Sequence, residues 1–454
     1  MAAVRYEIDM TKGSILKNML RFALPLMLTN IMQLLYNAAD QIVVGRWAGP
    51  HCLAAVGATS SFTILLTNLF IGLSIGANVA VSKRYGAKDF EGLKRATHTT
   101  VLLSFFGGIA SCILGQFLCR PVLELMGTPE DVINLSVLYM RVIFIGVPAQ
   151  IIYNFGAAIL RSVGDTKRPL YILSFTGIVN VVLNLFLVIG FGMDVAGVAI
   201  ATATAHYLSA AAIIYSLTTS DTVYRVNLKK LKIHKKEIRD IVSVGIPAAI
   251  QSSVFSLSNM VVQSSLNTFG TAAMAGRTAA QSVESFVHTS MDSFHQATVT
   301  AVGQNYGGKQ EKRIYKSIKT GLACSIVAGL VLGSLVYVFG RQLLGIYIVG
   351  NPEAIEYGML YMMICGLPYF ICGIMNVLAG ALRGLGHSKI SALNSVICTC
   401  GFRIFWIFAV LPFVPEAWFL FLCWPISWIL VSTCHTINLL AVRKKTMRKM
   451  YARQ

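Results

Sequence analysis

The sequence predicts an all-α polytopic membrane protein: twelve transmembrane helices in two six-helix lobes related by pseudo-two-fold symmetry. Three observations lead there. Of 454 residues, 55% are hydrophobic and only 13% charged, whereas a soluble domain carries roughly a quarter charged residues. Apolar runs of about twenty residues recur without period-two alternation, the length of a membrane-crossing helix and not of a barrel strand. Finally, an offset of about 222 residues superposes the first six runs on the last six, as internal repeats in transporters do.

Helix 1, at 17–45, has Pro25 early and Asn37 and Asp40 towards its far end. Helix 2, at 53–81, stops before Tyr85-Gly86-Ala87-Lys88, and helix 3 occupies 95–118. Helix 4, at 132–159, contains Arg141 and Pro148 and runs into Leu160-Arg161-Ser162-Val163-Gly164-Asp165-Thr166-Lys167. Helix 5, at 169–191, places Asn180 and Asn184 on one face. Helix 6, at 195–218, brings Thr202 in early and His206 next. A basic stretch, 219–240, leads to helix 7 at 241–267 with Pro247, then helix 8 at 273–303 and helix 9 at 315–339. Helix 10, at 355–381, contains Pro368 and helix 11, at 390–411, contains Arg403; helix 12, at 416–441, precedes a basic tail, 442–454. The lobes are therefore expected at 1–218 and 241–441, with 219–240 as a cytoplasmic linker.

The repeat is legible residue by residue. Leu24-Pro25 falls on Ile246-Pro247, Asn37 on Asn259, Tyr85-Gly86-Ala87-Lys88 on Tyr306-Gly307-Gly308-Lys309, and Tyr139-Met140 on Tyr361-Met362. The loop from Leu160 to Lys167 falls on Leu382-Arg383-Gly384-Leu385-Gly386-His387-Ser388-Lys389. An even number of spans per half gives both halves one orientation, related by an axis along the membrane normal. Pro25 and Pro247 then mark equivalent places where helices 1 and 7 bend most cheaply, either as hinges or as ordinary kinks.

The net charge of +19 reads as topology. Segments at 5–21, 83–95, 161–168, 225–239, 309–319, 383–389 and 443–453 carry 32 of the 38 Lys and Arg residues. Basic residues are retained in the cytoplasm, so both termini are expected there. A continuous basic groove with interleaved aromatics is missing, which argues against nucleic-acid binding. The tail from Arg443 is read as a solvated, orientation-fixing segment. The ten cysteines lie mostly in apolar runs without a Cys-x-x-Cys pair and read as packing residues, so no metal site is expected.

Polar groups at membrane depth are costly and mark function or its partners. Asp40 lies about five residues, roughly 8 Å, below the far end of helix 1, and Thr202 about seven residues, roughly 10 Å, inside helix 6. Asn184 lies at a similar depth. Asp40, Asn180, Asn184 and Thr202 could hold a proton, coordinate a small hard cation through oxygen atoms, or satisfy each other structurally. Helix 8 carries Arg277, Gln281, Glu284, His288, Asp292 and His295, spaced 4, 3, 4, 4 and 3, which places them on one stripe. This stripe reads as a cavity wall, with a protonation role for Glu284 and Asp292, or as acid–imidazole pairs satisfying each other. Arg141 and Arg403 are expected to pair with acids or to snorkel.

These features, with Ala196-Gly197-Val198-Ala199-Ile200-Ala201-Thr202 and Val302-Gly303-Gln304-Asn305, together resemble the multidrug and toxic compound extrusion (MATE) transporters over about residues 15–440. The resemblance implies an antiporter exporting amphipathic, often cationic organic compounds against inward H+ or Na+, with two lobes around a central cavity. In one branch the helix 1 acid, helix 5 Asn and helix 6 Thr match Asp40, Asn180 and Thr202. Asn184 stands where that branch often has a second acid, which favours H+ over Na+. Another branch uses acids in helices 7 and 10, where this chain has Gln251, Phe255 and Cys372. The substrate cavity is expected at Asn37, Gln281, Glu284, His288, Asp292 and His295.

The expected setting is the cell membrane, with small organic substrates and lipid as partners and the chain acting as a monomer. No cofactor is expected beyond the coupling ion. No Gly-x-x-x-x-Gly-Lys-Ser/Thr loop occurs for ATP and no hydrolase motif for an enzyme. A flippase for lipid-linked substrates, the alternative, should show a dense cavity cluster of Arg and Lys.

Overall fold

The computed structural model describes residues 6–348 and 350–452; Arg5 and Arg453 of the basic flanks lie outside them. Among the described residues there is no strand. The first six helices are α1 (Ile15–Ala48), α2 (Pro50–Gly86), α3 (Phe90–Leu125), α4 (Glu130–Ser162), α5 (Lys167–Gly190) and α6 (Asp194–Thr219). The second six are α7 (Lys235–Asn267), α8 (Thr271–Gly307), α9 (Glu311–Val338), α10 (Pro352–Gly366 and Tyr369–Leu385), α11 (Ser388–Phe413) and α12 (Ala417–Arg443). The two pieces of α10 meet at 44° around Leu367 and Pro368, because a proline removes a backbone donor and clashes with the preceding turn. Among the described residues, nine helices, or ten with bent α10, are long and apolar enough to cross a membrane. Helix α8 is as long as any of them, yet its polar stripe keeps it out of that set.

The repeat extends to backbone angles. Lys88 and Lys309 share φ 55°, Gly164 and Gly386 have φ 89° and 94°, and Gly49 and Gly270, which precede α2 and α8, have φ 90° and 92°. These values lie where a Cβ is strained.

The chain forms two compact units. Unit 1 comprises the segment ending at Ile8 together with Leu28–Val242, and unit 2 comprises Asp9–Met27 together with the chain from Ser243 onward. These units differ from the lobes read as 1–218 and 241–441 at their entries. In unit 2, Met10 N donates to Gln304 Oε1 at 2.8 Å, while Asn305 Nδ2 at 3.1 Å and Arg313 Nη2 at 3.0 Å donate to Met10 O. In unit 1, the supposed linker packs Tyr224 and Val226 out of solvent. Backbone groups that find buried partners override sequence proximity.

Within unit 1, small residues let helices approach. A Cβ on Gly146 of α4 would stand 2.9 Å from Ala203 Cα of α6, and one on Gly108 of α3 would stand 2.8 Å from Pro148 Cα. Within unit 2, Gly380 and Gly384 of α10 face the carbonyl oxygens of His295 and Val299 of α8, each 2.9 Å from the position of an added Cβ. Small residues four apart let helix backbones close in membranes.

Candidate functional site

In unit 1, the approach of α1 to α5 sets the site. Tyr36 lies over Gly177, where an added Cβ would meet its ring at 1.9 Å, and Tyr36 OH donates to Ser174 O at 3.0 Å. One turn further along α1 stands Asp40, and one and two turns along α5 stand Asn180 and Asn184. The three side chains close a ring with Thr202 of α6. Asn184 Nδ2 donates to Asp40 Oδ1 and, at 3.4 Å, to Asn180 Oδ1. Thr202 Oγ1 donates to Asp40 Oδ2 at 3.3 Å and accepts from Asn180 Nδ2 at 3.3 Å. The structure therefore brings together Asp40, Asn184 and Thr202, which their depth had grouped, with Asn180, which shares a helix face with Asn184.

The ring has two informative properties. Both carboxylate oxygens accept from uncharged donors, and among the described residues no ion pair involves Asp40. Asn184 is fully buried, and its Oδ1 has no hydrogen-bond partner among the described residues. A buried acceptor left open costs about 1–3 kcal/mol, so its retention needs a reason. Scaffold geometry does not supply one. The repeat counterparts of Asp40, Asn180, Asn184 and Thr202 are Val262, Phe402, Trp406 and Trp424, with the Phe402 and Trp406 rings 5.6 Å apart. The same helical positions thus pack with hydrocarbon and aromatic rings in unit 2.

Tyr139 of α4 lies in the field of Asp40, and sequence reasoning did not place it at the site. Its repeat partner Tyr361 donates from its OH to Glu284 Oε2 at 2.6 Å. In unit 2 the tyrosine of this repeat position is hydrogen-bonded to an acid, whereas in unit 1 Tyr139 feels the charge of Asp40 without a hydrogen bond to it among the described residues. The Tyr139–Tyr361 match was in the sequence, but nothing there said which acid each would face.

Helix 8's stripe does not act as one surface. Gln281 and His288 are exposed and Asp292 is half-buried, with Gln296 Nε2 donating to Asp292 Oδ2 at 2.7 Å. Asn37 of α1 is likewise exposed. The other half turns into unit 2. Arg277 donates to Gln263 Oε1 at 2.5 Å and lies 5.3 Å from the Trp424 ring centroid. Glu284 borders a small cavity with Val287, Val336, Tyr361 and Tyr369. His295, expected on a cavity wall, is buried instead: Nδ1 lies 2.6 Å from Asn376 O and Nε2 accepts from Arg383 Nη1 at 3.2 Å. Gly380 and Gly384 of α10 bring that backbone against α8 at His295 and Val299.

Arg383, expected on the cytoplasmic flank, is also buried. It donates to Gln251 Oε1 at 2.8 Å, Gln251 donates to Ser395 Oγ at 2.9 Å, and Ser395 Oγ lies 3.5 Å from His435 Nε2. Arg403 meets amide and hydroxyl groups rather than an acid, Asn259 Oδ1 at 2.9 Å and Ser427 Oγ at 3.3 Å. Arg141 is exposed. Pro25 and Pro247 lie inside continuous α1 and α7, close to where the chain passes between units.

Comparison with known proteins agrees with this architecture. The family model MatE matches twice, at residues 25–186 and 247–408, reproducing the internal repeat. The Bacillus subtilis protein named probable multidrug resistance protein YoeA is 29% identical over 409 residues, covering 87% of this chain and 86% of that one. The FAD transporter of Shewanella oneidensis is 25% identical, covering 85% of each chain. A solved structure described as the outward-facing conformation of a multidrug resistance MATE family transporter of the MOP superfamily matches in fold, with TM-score 0.89 at 21% identity over 97% of this chain and 99% of that one.

Proposed function

The chain belongs to the MatE family of multi-pass membrane transporters, and on that premise we propose that it exports amphipathic and cationic organic compounds from the cell in exchange for an inward-moving ion. The observation that carries this reading is the Asp40–Asn184–Asn180–Thr202 ring: a single carboxylate at membrane depth, placed among neutral donors, at positions that the other unit fills with apolar side chains. A carboxylate that can be discharged without breaking an ion pair is suited to exchanging a small cation. One carboxylate with one open amide oxygen offers few of the oxygen ligands that a metal cation collects, so the coupling ion in this reading is H+ rather than Na+.

The exposed positions Gln281, His288 and Asn37, with half-buried Asp292, suit a water-filled wall contacting organic cations. Lipid-linked pyrophosphates, or an anionic dinucleotide such as the FAD of the Shewanella relative's name, would call for exposed bases at that depth. Here Arg277, Arg383 and Arg403 are buried in unit 2 and engaged by its own side chains, which leaves Arg141 of α4 as a lone exposed arginine rather than part of a cluster. Alternating access by one lobe moving against the other, bending near Pro25 and Pro247, completes the reading. The distribution of Lys and Arg supports a cell-membrane orientation with both termini cytoplasmic. Energy comes from the ion gradient rather than ATP, and one chain suffices.

The decisive measurement is efflux of a fluorescent organic cation from vesicles holding wild type or Asp40→Asn, with proton and sodium gradients imposed separately. The variant is expected to lose gradient-driven efflux by at least about tenfold while keeping dye binding. Equal efflux from both proteins under both gradients would overturn the assignment. A wild type driven by sodium alone would transfer the role to Na+.

A further inference from the structure

The segment joining the halves is not a loose tether. After α6 it turns back onto unit 1, where Tyr224 is wholly buried and Val226 N donates to Leu217 O at 2.9 Å. Asn227 N donates to His98 Nε2 and His234 N to Thr99 Oγ1, each at 3.3 Å. The Asn227 side chain caps a short turn, Leu228–Lys230, accepting from Lys229 N at 3.1 Å.

This docking sorts the segment's charges by direction. Glu237 and Asp240 turn inward onto Arg84, and Arg95 lies 3.9 Å from Glu237. Outward stand Lys229, Lys230, Lys232, Lys235 and Lys236, all exposed. Beside them Leu228 and Ile233 are 53% and 49% exposed, although nothing about a solvated loop requires large apolar side chains. The segment runs from the end of α6 at Thr219 to the start of α7 at Lys235, two membrane-crossing helices, so its outer face lies at the rim of the bilayer.

We propose that the docked segment is a bilayer-docking surface for anionic lipid headgroups. The lysines meet headgroup phosphates, and Leu228 and Ile233 enter the boundary between headgroups and acyl chains. Basic clusters immediately beside a membrane helix gain roughly fivefold in affinity for an anionic surface per charge, and apolar side chains among them favour lipid over other polyanions. Pairing of buried Glu237 and half-buried Asp240 with Arg84 offsets the acids nearest the lysines, leaving Asp221 as the segment's exposed acid against five exposed lysines. A nucleic acid would find the phosphate-binding charges but no use for the two apolar residues.

The test uses the full chain in nanodiscs of phosphatidylcholine with one quarter phosphatidylglycerol, in which a trace of either lipid carries a photoreactive headgroup, with labelled peptides mapped after illumination. Wild type is expected to concentrate phosphatidylglycerol label in peptides from 225–239, well above phosphatidylcholine label. The variant Lys229→Gln/Lys230→Gln/Lys232→Gln should lose that preference by on the order of a hundredfold at an unchanged unfolding temperature. Leu228→Ser/Ile233→Ser should lower labelling by both lipids. Equal labelling by the two lipids in wild type, undiminished labelling in the lysine variant, or complete displacement by a short RNA at low concentration would overturn the proposal.

Discussion

Asp165 sits in the turn between α4 and α5 with no exposed surface. Its Oδ1 accepts from the backbone N of Lys167 at 3.2 Å and of Arg168 at 3.1 Å, and Arg168 Nε lies 3.2 Å from its Oδ2. Burial pushes this carboxyl above its ordinary 3.8, and the Arg168 backbone N–H, the Arg168 charge and the Lys167 N–H only partly pull it back. A raised native value means that its contribution to stability is present below the ordinary value and lost as pH climbs through the raised one. Asp165→Asn keeps an oxygen for both backbone donors and carries no charge. Its unfolding temperature should therefore gain on wild type as pH rises from about 4 to about 7, and a gap that shrinks over that range would contradict this. The sequence marked this loop through its repeat, but not that Ile8, distant in sequence, packs against it. Ile8 N donates to Val163 O at 3.2 Å, and a Cβ on Gly164 would stand 2.4 Å from Ile8 O. The Asp40 ring was legible because depth along a helix follows from counting residues. The partners of His295 were not, because counting does not tell which neighbour faces a given side.

The elements explain that difference. Spacing placed six polar residues of α8 on one stripe, and the stripe exists, but its width covers more than one neighbour. One edge, with Gln281 and His288, is exposed, while the other, with Arg277, Glu284 and His295, is enclosed by α10 and α12. Gly380 and Gly384 decide the enclosure by letting α10 approach. From this follows a buried polar chain, His295–Arg383–Gln251–Ser395–His435, tying α8, α10, α7, α11 and α12 together. Of its unit 1 counterparts, Ser74 for His295, Arg161 for Arg383 and Thr29 for Gln251 are polar, whereas Leu173 for Ser395 and Ile213 for His435 are apolar, so the end of the chain on α11 and α12 belongs to unit 2 alone. Satisfied buried networks act cooperatively. Arg383→Met should destabilise the protein by about 2–3 kcal/mol. A double-mutant cycle with Gln251→Leu, read by thermal unfolding, should give a coupling of about 1 kcal/mol or more; additive effects would dissolve the network. The bend in α10 was legible from Pro368. The wide π turns Val396–Gly401 and Trp406–Val410 in α11 were not, because one inserted residue leaves hydropathy unchanged.

At the scale of the molecule, the chain exchanges its entries. The lead into α1 belongs with unit 2, and the lead into α7 belongs with unit 1. The passages fall two residues after Pro25 and five before Pro247, between Met27 and Leu28 and between Val242 and Ser243, where helices 1 and 7 lack a backbone donor. If these are the hinges, Pro25→Ala should slow efflux several-fold while spin-label distances inside each unit stay at their wild-type values. Unaltered turnover would make Pro25 an ordinary kink. The sequence by itself determined the membrane class, the twelve helices, the repeat and the depth of each polar group, since hydrocarbon thickness and helical rise tie those to residue counts. Only the tertiary structure decided which polar residues face outward and which close on each other, where the units divide, and that the joining segment is docked. Those outcomes depend on how closely helices approach and which side they present, and both are set by small residues and by partners distant in sequence.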